Sequence, residues 1–236
     1  WDAMQIRVSE EGLLSKCKEF RDKKIPVRWA ILDDMWAEVA KFDRNTYDTR
    51  EAMFRLMHSS AMTDYEASHT RFPNGLAHCL TRMRTEYNMI PAIWHPTTGY
   101  WMGLEKDGPA AAKLSPYTTT SIDGKCMGDW HEDKAYGYYN TMHRFFRDCG
   151  AAFVKVDNQS MYRRFYRGMD TVGRVCREYH RGLEASVGVN FGGDMINCMG
   201  MASEDMWNRP ASAISRCSDD FQPENRPWFT KHILQC

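Results

Sequence analysis

The sequence predicts an α/β chain built on a parallel sheet with helices outside it. Two observations carry that prediction. Strand-like and helix-like stretches alternate along the 236 residues without hairpin signals between them, the pattern of a parallel sheet. Three strand-like runs also end abruptly in charge: Val27–Leu32 before Asp33-Asp34, Ala151–Val154 before Lys155-Val156-Asp157, and Ala211–Ser215 before Arg216-Cys217-Ser218-Asp219-Asp220. In a parallel α/β barrel the carboxyl ends of the strands are where reactive side chains gather.

Each element follows from spacing. Leu13, Leu14, Cys17 and Phe20 recur at three and four residues, which predicts a helix over 9–23. Pro26 introduces a strand at 27–33. Residues 35–71 read as an irregular polar excursion, too long for an ordinary βα turn. Phe72-Pro73-Asn74-Gly75 opens a helix whose apolar stripe is Leu76, Leu80 and Met83, running to Asn88 and handing over to a strand at 90–95. A loop is expected over 97–128, a helix over 133–149, the Lys-Val-Asp strand, and a helix over 160–184. Strands at 194–198 and 211–216 and a helix at 228–235 complete the reading. With a further strand at Trp1, this makes about six β/α units.

Composition excludes several function classes. Lysine plus arginine and aspartate plus glutamate both number 31, so charge supplies no case for nucleic acid or an anionic membrane. No apolar run approaches the roughly 20 residues that span a bilayer. The eight cysteines are scattered, without a CxxC or zinc-finger spacing, so no metal site is expected. They read as free thiols, which leans toward the cytoplasm while leaving the compartment open. Neither a phosphate-cradling glycine loop nor a GxSxG elbow is present, and no cofactor is expected.

The acidic strand ends suit sugar chemistry. Retaining glycoside hydrolysis needs two carboxyl groups roughly 5–5.5 Å apart across one pocket. Asp157 suits the nucleophile, with Lys155 on the same side of the strand and favouring its ionised form. Asp219 or Asp220 suits the acid/base, with Arg216 to orient it or bind hydroxyls. Asp33 and Asp34 could accept hydrogen bonds from sugar hydroxyls, and Trp36, Trp94-His95 and Tyr100-Trp101 could wall the pocket. The bland alternatives are a strand-end ion pair for Lys155 and Asp157, a helix cap for the Asp33-Asp34 pair, and packing for the aromatics.

Six motifs then point further: Trp1-Asp2-Ala3, Ile31-Leu32-Asp33-Asp34-Met35-Trp36, Phe72-Pro73-Asn74-Gly75-Leu76, Trp94-His95-Pro96-Thr97-Thr98-Gly99-Tyr100-Trp101, Lys155-Val156-Asp157-Asn158-Gln159 and Ser215-Arg216-Cys217-Ser218-Asp219-Asp220-Phe221. In this order they resemble glycoside hydrolase family 36, in its raffinose-synthase and seed-imbibition-protein branch. The resemblance implies a (β/α)8 TIM-barrel catalytic domain, partial over residues 1–236, that acts on α-linked galactose with retention. It implies Asp157 as nucleophile and Asp220, four residues after Arg216, as acid/base, with Asp219 the rival. It implies Asp33, Asp34, Trp36, Trp94, Trp101, Lys155, Cys198 and Arg216 as binders of an oligosaccharide. Met35 stands where many members have glycine, which would narrow the pocket near Trp36.

The function expected is a retaining α-galactosidase for raffinose-family oligosaccharides. The alternatives are a galactosyltransferase, another α-glycosidase specificity, and a non-catalytic carbohydrate binder. Residues 1–236 are expected to be a fragment, with the last barrel strands and flanking domains outside it and poor activity by itself. Oligomeric state is not predicted.

Overall fold

A computed structural model describes residues 8–41, 49–218, 220 and 226–235. The described elements in chain order are α1 (Glu10–Asp22), β1 (Trp29–Leu32), β2 (Ala37–Val39), α2 (Arg50–His58), β3 (Met62–Ala67), α3 (Gly75–Tyr87) and β4 (Ile90–Pro96). They continue with α4 (Pro109–Leu114), β5 (Thr118–Thr120), β6 (Cys126–Gly128), α5 (Glu132–Asp148), β7 (Val154–Asp157) and α6 (Tyr162–Phe165). The last are α7 (Val172–Phe191), β8 (Met195–Asn197), α8 (Ser203–Trp207), β9 (Ile214–Ser215) and α9 (Arg226–Gln235).

Five strands form one sheet in the order β1-β4-β7-β8-β9, and every neighbouring pair is parallel. These strands fall at or beside the runs read as strands; the central β4 and β7 are buried, while Trp29 of β1 and both residues of β9 at the sheet's edges are exposed. All four residues of β7 are buried, and so are six of the seven in β4, as expected of strands with no solvent face. α1 starts where Ser9 accepts from the Gly12 N–H, with Glu10 and Glu11 in its first turn. Helices α5 and α7 approach so closely that a Cβ on Gly182 would sit 2.5 Å from the Tyr136 backbone nitrogen.

Four expectations need correction. The excursion at 35–71 is ordered in part, holding α2 and the antiparallel pair β2–β3. The loop at 97–128 holds α4 and a second antiparallel pair, β5–β6. Strands of three residues, such as β2, β5 and β6, carry too little alternation to register as periodic. The helix expected at 160–184 is broken into a 3-10 turn at Gln159–Met161, the short α6, and α7 running on to Phe191. The strand expected at 211–216 shrinks to Ile214–Ser215. The strand expected at Trp1 lies outside the described residues.

Candidate active site

Strand register collects the acidic residues at one end of the sheet. Val156 pairs with Asn197, and Asn197 with Ser215. The next residues along the three strands, Asp157, Cys198 and Arg216, are therefore level. On the other side Trp94 pairs with Lys155 and Pro96 with Asp157. β1 brings Asp33 and Asp34 to the same end.

Asp157 is buried, and both carboxylate oxygens have donors. The Trp94 indole Nε1 donates to Oδ2 at 2.9 Å, and the Asn158 backbone N–H to Oδ1 at 2.7 Å. Lys155, expected to serve Asp157, makes its ion pair with Asp33 instead, Nζ to Oδ2 at 2.7 Å. Burial would push the Lys155 ammonium toward neutrality. Asp33 first, then Cys198 and Asp157, outweigh burial and hold its pKa above the usual lysine value.

Asp34 is 3 % exposed and carries three donors. The Tyr100 hydroxyl and the Met35 N–H reach Oδ1, each at 2.6 Å, and the Trp101 indole reaches Oδ2 at 2.8 Å. Burial dominates these hydrogen bonds and, with the neighbouring Asp33 charge, pushes its pKa up to about 7. In the sequence Tyr100 is only an aromatic beside Trp101. Its role on Asp34 becomes visible only in three dimensions.

Trp36 departs from its expected place. It is 1 % exposed, its indole donates to the Trp94 carbonyl at 2.7 Å, and its ring packs edge-on against Phe146 at 5.5 Å. It is a core residue behind the site rather than an open wall. Trp94 is likewise enclosed, whereas Trp101 is half-buried and its ring meets His58 at 4.6 Å.

Cys198 is fully buried. Burial, then Asp157, pushes its thiol well above the ordinary value, so it stays protonated. The Arg216 guanidinium holds the Asp220 carboxylate, which remains partly open to solvent. Burial works against the arginine's charge, but Asp220, by charge and hydrogen bond, and Asp157 beyond it outweigh burial and raise its pKa. His58 completes this corner. Burial lowers its pKa, while the charge of Asp220 acts in the other direction. His58 lies in the stretch read as irregular, and no spacing signal marked it. Asp219 lies outside the described residues.

Backbone conformation marks the same end of the sheet. Met35, Asn158 and Met199 all have left-handed φ, at 72°, 61° and 52°. Each directly follows a site residue: Asp34, Asp157 or Cys198. Such conformations cost free energy for non-glycine residues and concentrate at functional sites. Met35 thus occupies a conformation that glycine adopts without cost, and its side chain is buried.

One described group outside this site has metal-ligand composition: Cys176, His180 and Asp205, all fully buried. The thiol and His180 Nε2 already face Asp205 Oδ1 at 3.4 and 3.1 Å, and the Tyr179 hydroxyl reaches the same oxygen at 3.0 Å. These four atoms form a hydrogen-bonded cluster, while His180 Nδ1 and Asp205 Oδ2 have no hydrogen-bond partner among the described residues.

Comparison with known proteins follows this geometry. The family model described as raffinose synthase or seed imbibition protein Sip1 matches residues 1–230. The probable galactinol–sucrose galactosyltransferase 6 of Arabidopsis thaliana is 26 % identical over 254 residues, covering 99 % of this chain and 33 % of the relative. Among solved structures, the α-galactosidase of Lactobacillus brevis superposes with a TM-score of 0.61 at 13 % identity, covering 99 % of this chain and 31 % of that one. The Thermus thermophilus α-galactosidase in complex with stachyose gives a TM-score of 0.61 at 16 % identity, covering 98 % of this chain and 46 % of that one. The chain thus spans about a third of the length of the curated relatives it matches. The structural likeness shows the fold: the parallel sheet with outer helices is a partial (β/α)8 barrel.

Proposed function

We propose that this chain, which belongs to the raffinose synthase and seed imbibition protein family, is the catalytic barrel of an enzyme that cleaves α-galactosides with retention. The observation that carries the proposal is Asp157: a carboxylate on a rigid strand end, both oxygens held by donors, level with Arg216, which in turn holds Asp220. Its oxygens are aimed rather than free to rotate, which is what a nucleophile requires.

In the proposed reaction Asp157 attacks the anomeric carbon while Asp220 protonates the departing glycosidic oxygen. A covalent galactosyl-enzyme forms. Asp220, now ionised, takes a proton from water, which attacks the same carbon and frees Asp157. Asp33 and Asp34 accept hydrogen bonds from galactose hydroxyls, Lys155 and Trp101 flank them, and Arg216 orients Asp220. Asp219 is the rival for the acid/base role. Raffinose-family oligosaccharides are the proposed substrates.

The test is hydrolysis of an aryl α-galactoside by the full-length protein beside its Asp157→Asn and Asp220→Asn variants. Loss of activity by about a thousandfold or more in Asp157→Asn, a deficit equivalent to roughly 4 kcal/mol of barrier, is the expected result. A folded but inert parent would turn the proposal toward another α-glycoside or toward carbohydrate binding alone.

A second reading is favoured by the curated relatives, which are named as galactosyltransferases. A sugar hydroxyl would then replace water in the second step, with every other role unchanged. Product analysis with raffinose, with and without an added acceptor, separates the two. Free galactose as the main product supports hydrolysis, and a longer oligosaccharide supports transfer.

A further inference from the structure

Behind the candidate carboxylates runs a chain of buried amides that none of the proposed catalytic steps uses. Gln159 follows Asp157 by two residues and is fully buried. Its Nε2 donates to the Val156 carbonyl at 3.1 Å and to Asn197 Oδ1 at 2.8 Å. Asn197 Nδ2 donates onward to the Ile214 carbonyl at 3.0 Å and to Ser212 Oγ at 3.1 Å. The Ser212 hydroxyl donates to Glu184 Oε1, and the Ala211 N–H reaches Oε2 of the same carboxylate at 3.1 Å.

The direction of this chain is determined by chemistry. The carbonyls of Val156 and Ile214 can only accept, so each amide must turn its NH2 toward them. Asn197 then has only its oxygen left to receive Gln159. The chain crosses β7, β8 and β9 at the ends that carry Asp157, Cys198 and Arg216. It is approached from behind by the Tyr179 hydroxyl on α7, which lies 2.9 Å from the Gln159 carbonyl and 3.0 Å from Asp205 Oδ1 and shares its one proton between them. Backbone pairing alone is thin here, since β9 has only two residues.

We infer that Gln159 and Asn197 are positioning residues that set the spacing between the Asp157 strand and the Arg216–Asp220 segment. The inference rests on the reading of Asp157 as nucleophile and Asp220 as acid/base. A retaining site works only at a narrow carboxyl separation, and a displacement of about 1 Å can cost on the order of a hundredfold in rate. The backbone ties these strands through the Cys198 N–H to the Val156 carbonyl and the Arg216 N–H to the Asn197 carbonyl, each at 2.9 Å, and the amide chain adds a second, side-chain tie that holds the separation. Gly200 belongs to the same device. A Cβ there would lie 2.6 Å from Gln159 Oε1, so glycine leaves the room this side chain occupies.

The test uses the full-length protein with Asn197→Asp, Gln159→Glu and Gly200→Ala, each assayed on two substrates. A dinitrophenyl α-galactoside leaves without protonation, whereas raffinose needs the acid. Displacement of Asp220 relative to Asp157 predicts that kcat/KM on raffinose, which reports formation of the galactosyl-enzyme, falls at least tenfold more than kcat/KM on the activated galactoside. Loss of folded protein would lower both substrates by one factor, so an equal fall on both overturns the inference, as does unchanged kcat/KM in all three variants. If Asn197→Asp does not fold, Gly200→Ala carries the test, since the three atoms nearest its Cβ all belong to the Gln159 side chain, from Oε1 at 2.6 Å to Cβ at 3.3 Å. Asp220→Asn is the control. A substrate difference there without one in the positioning variants overturns the inference and leaves the acid/base reading standing. A difference in the positioning variants without one in Asp220→Asn supports the spacing role and moves the acid to Asp219.

Discussion

The indole of Trp94 donates to Oδ2 of Asp157 at 2.9 Å, across a strand boundary and 63 residues of sequence. Trp94 lies on β4 opposite Lys155, so the parallel register places its ring beside the carboxylate. Trp94→Phe keeps the aromatic body and deletes the donor. A hydrogen bond to a charged group is worth about 1.5–3 kcal/mol, so kcat/KM on an α-galactoside should fall by roughly 10- to 150-fold. Steady-state kinetics check this, and an unchanged kcat/KM would show that the indole is packing alone.

Asp34 should make both stability and activity depend on pH. Its folded pKa of about 7 is above the unfolded value of about 3.9. The folded state therefore holds the proton more tightly between those values. The stabilisation is fully present below about pH 4 and is lost as pH rises through about 7, by up to about 4 kcal/mol. Urea unfolding of the parent and of Asp34→Asn across this window should diverge by that amount. If ionised Asp34 accepts galactose hydroxyls, kcat/KM should climb as pH passes 7, and Asp34→Asn should lack that limb.

His95 and His143 act with the opposite sign. His95 Nε2 meets His143 Nε2 at 2.9 Å, His95 Nδ1 faces the Pro96 carbonyl at 3.1 Å, and His143 Nδ1 meets Ser186 Oγ at 2.7 Å. The carbonyl requires a proton on His95 Nδ1, so His143 carries its proton on Nε2 and Ser186 donates to His143 Nδ1. Burial pushes His95 down to about 4 and His143 well below its ordinary value. Both lowered values mean that the unfolded chain binds protons first, so this stabilisation is present above about pH 6.5 and lost as pH falls toward 4. Imidazole nitrogen NMR at pH 5 should show both rings neutral in these tautomers.

Gly182→Ala should destabilise the barrel wall. The added Cβ meets the Tyr136 backbone nitrogen at 2.5 Å and the Ala135 Cβ at 2.7 Å, and backbone cannot swing aside as a side-chain tip can. Overpacking of this kind costs about 1–3 kcal/mol. Thermal unfolding should therefore shift down by roughly 2–12 °C, while an unchanged Tm would show that α5 and α7 can slide apart.

The run at 90–94 was legible because a strand buried on both faces is rich in apolar residues, as β4 is, whereas β7 was legible as valines alternating with Lys155 and Asp157 after the apolar run at 151–154. Asp157 and the Asp33-Asp34 pair were legible as charge placed where such a run stops. β2, β5 and β6 were not, since three residues hold too little pattern. Trp36 was misplaced because an aromatic beside two aspartates looks the same in sequence whether it faces a pocket or the core.

Local sequence determined which strands the parallel sheet has and which of them end in carboxylates, because burial and β-propensity act over a few neighbouring residues. The tertiary structure alone decided the partnerships: Lys155 with Asp33 rather than Asp157, Trp94 on Asp157, Tyr100 on Asp34, Gln159 on Asn197. A hydrogen bond reaches about 3 Å, and strand register selects which atoms come that close across tens to more than a hundred residues. Sequence spacing does not carry that register until the sheet has formed.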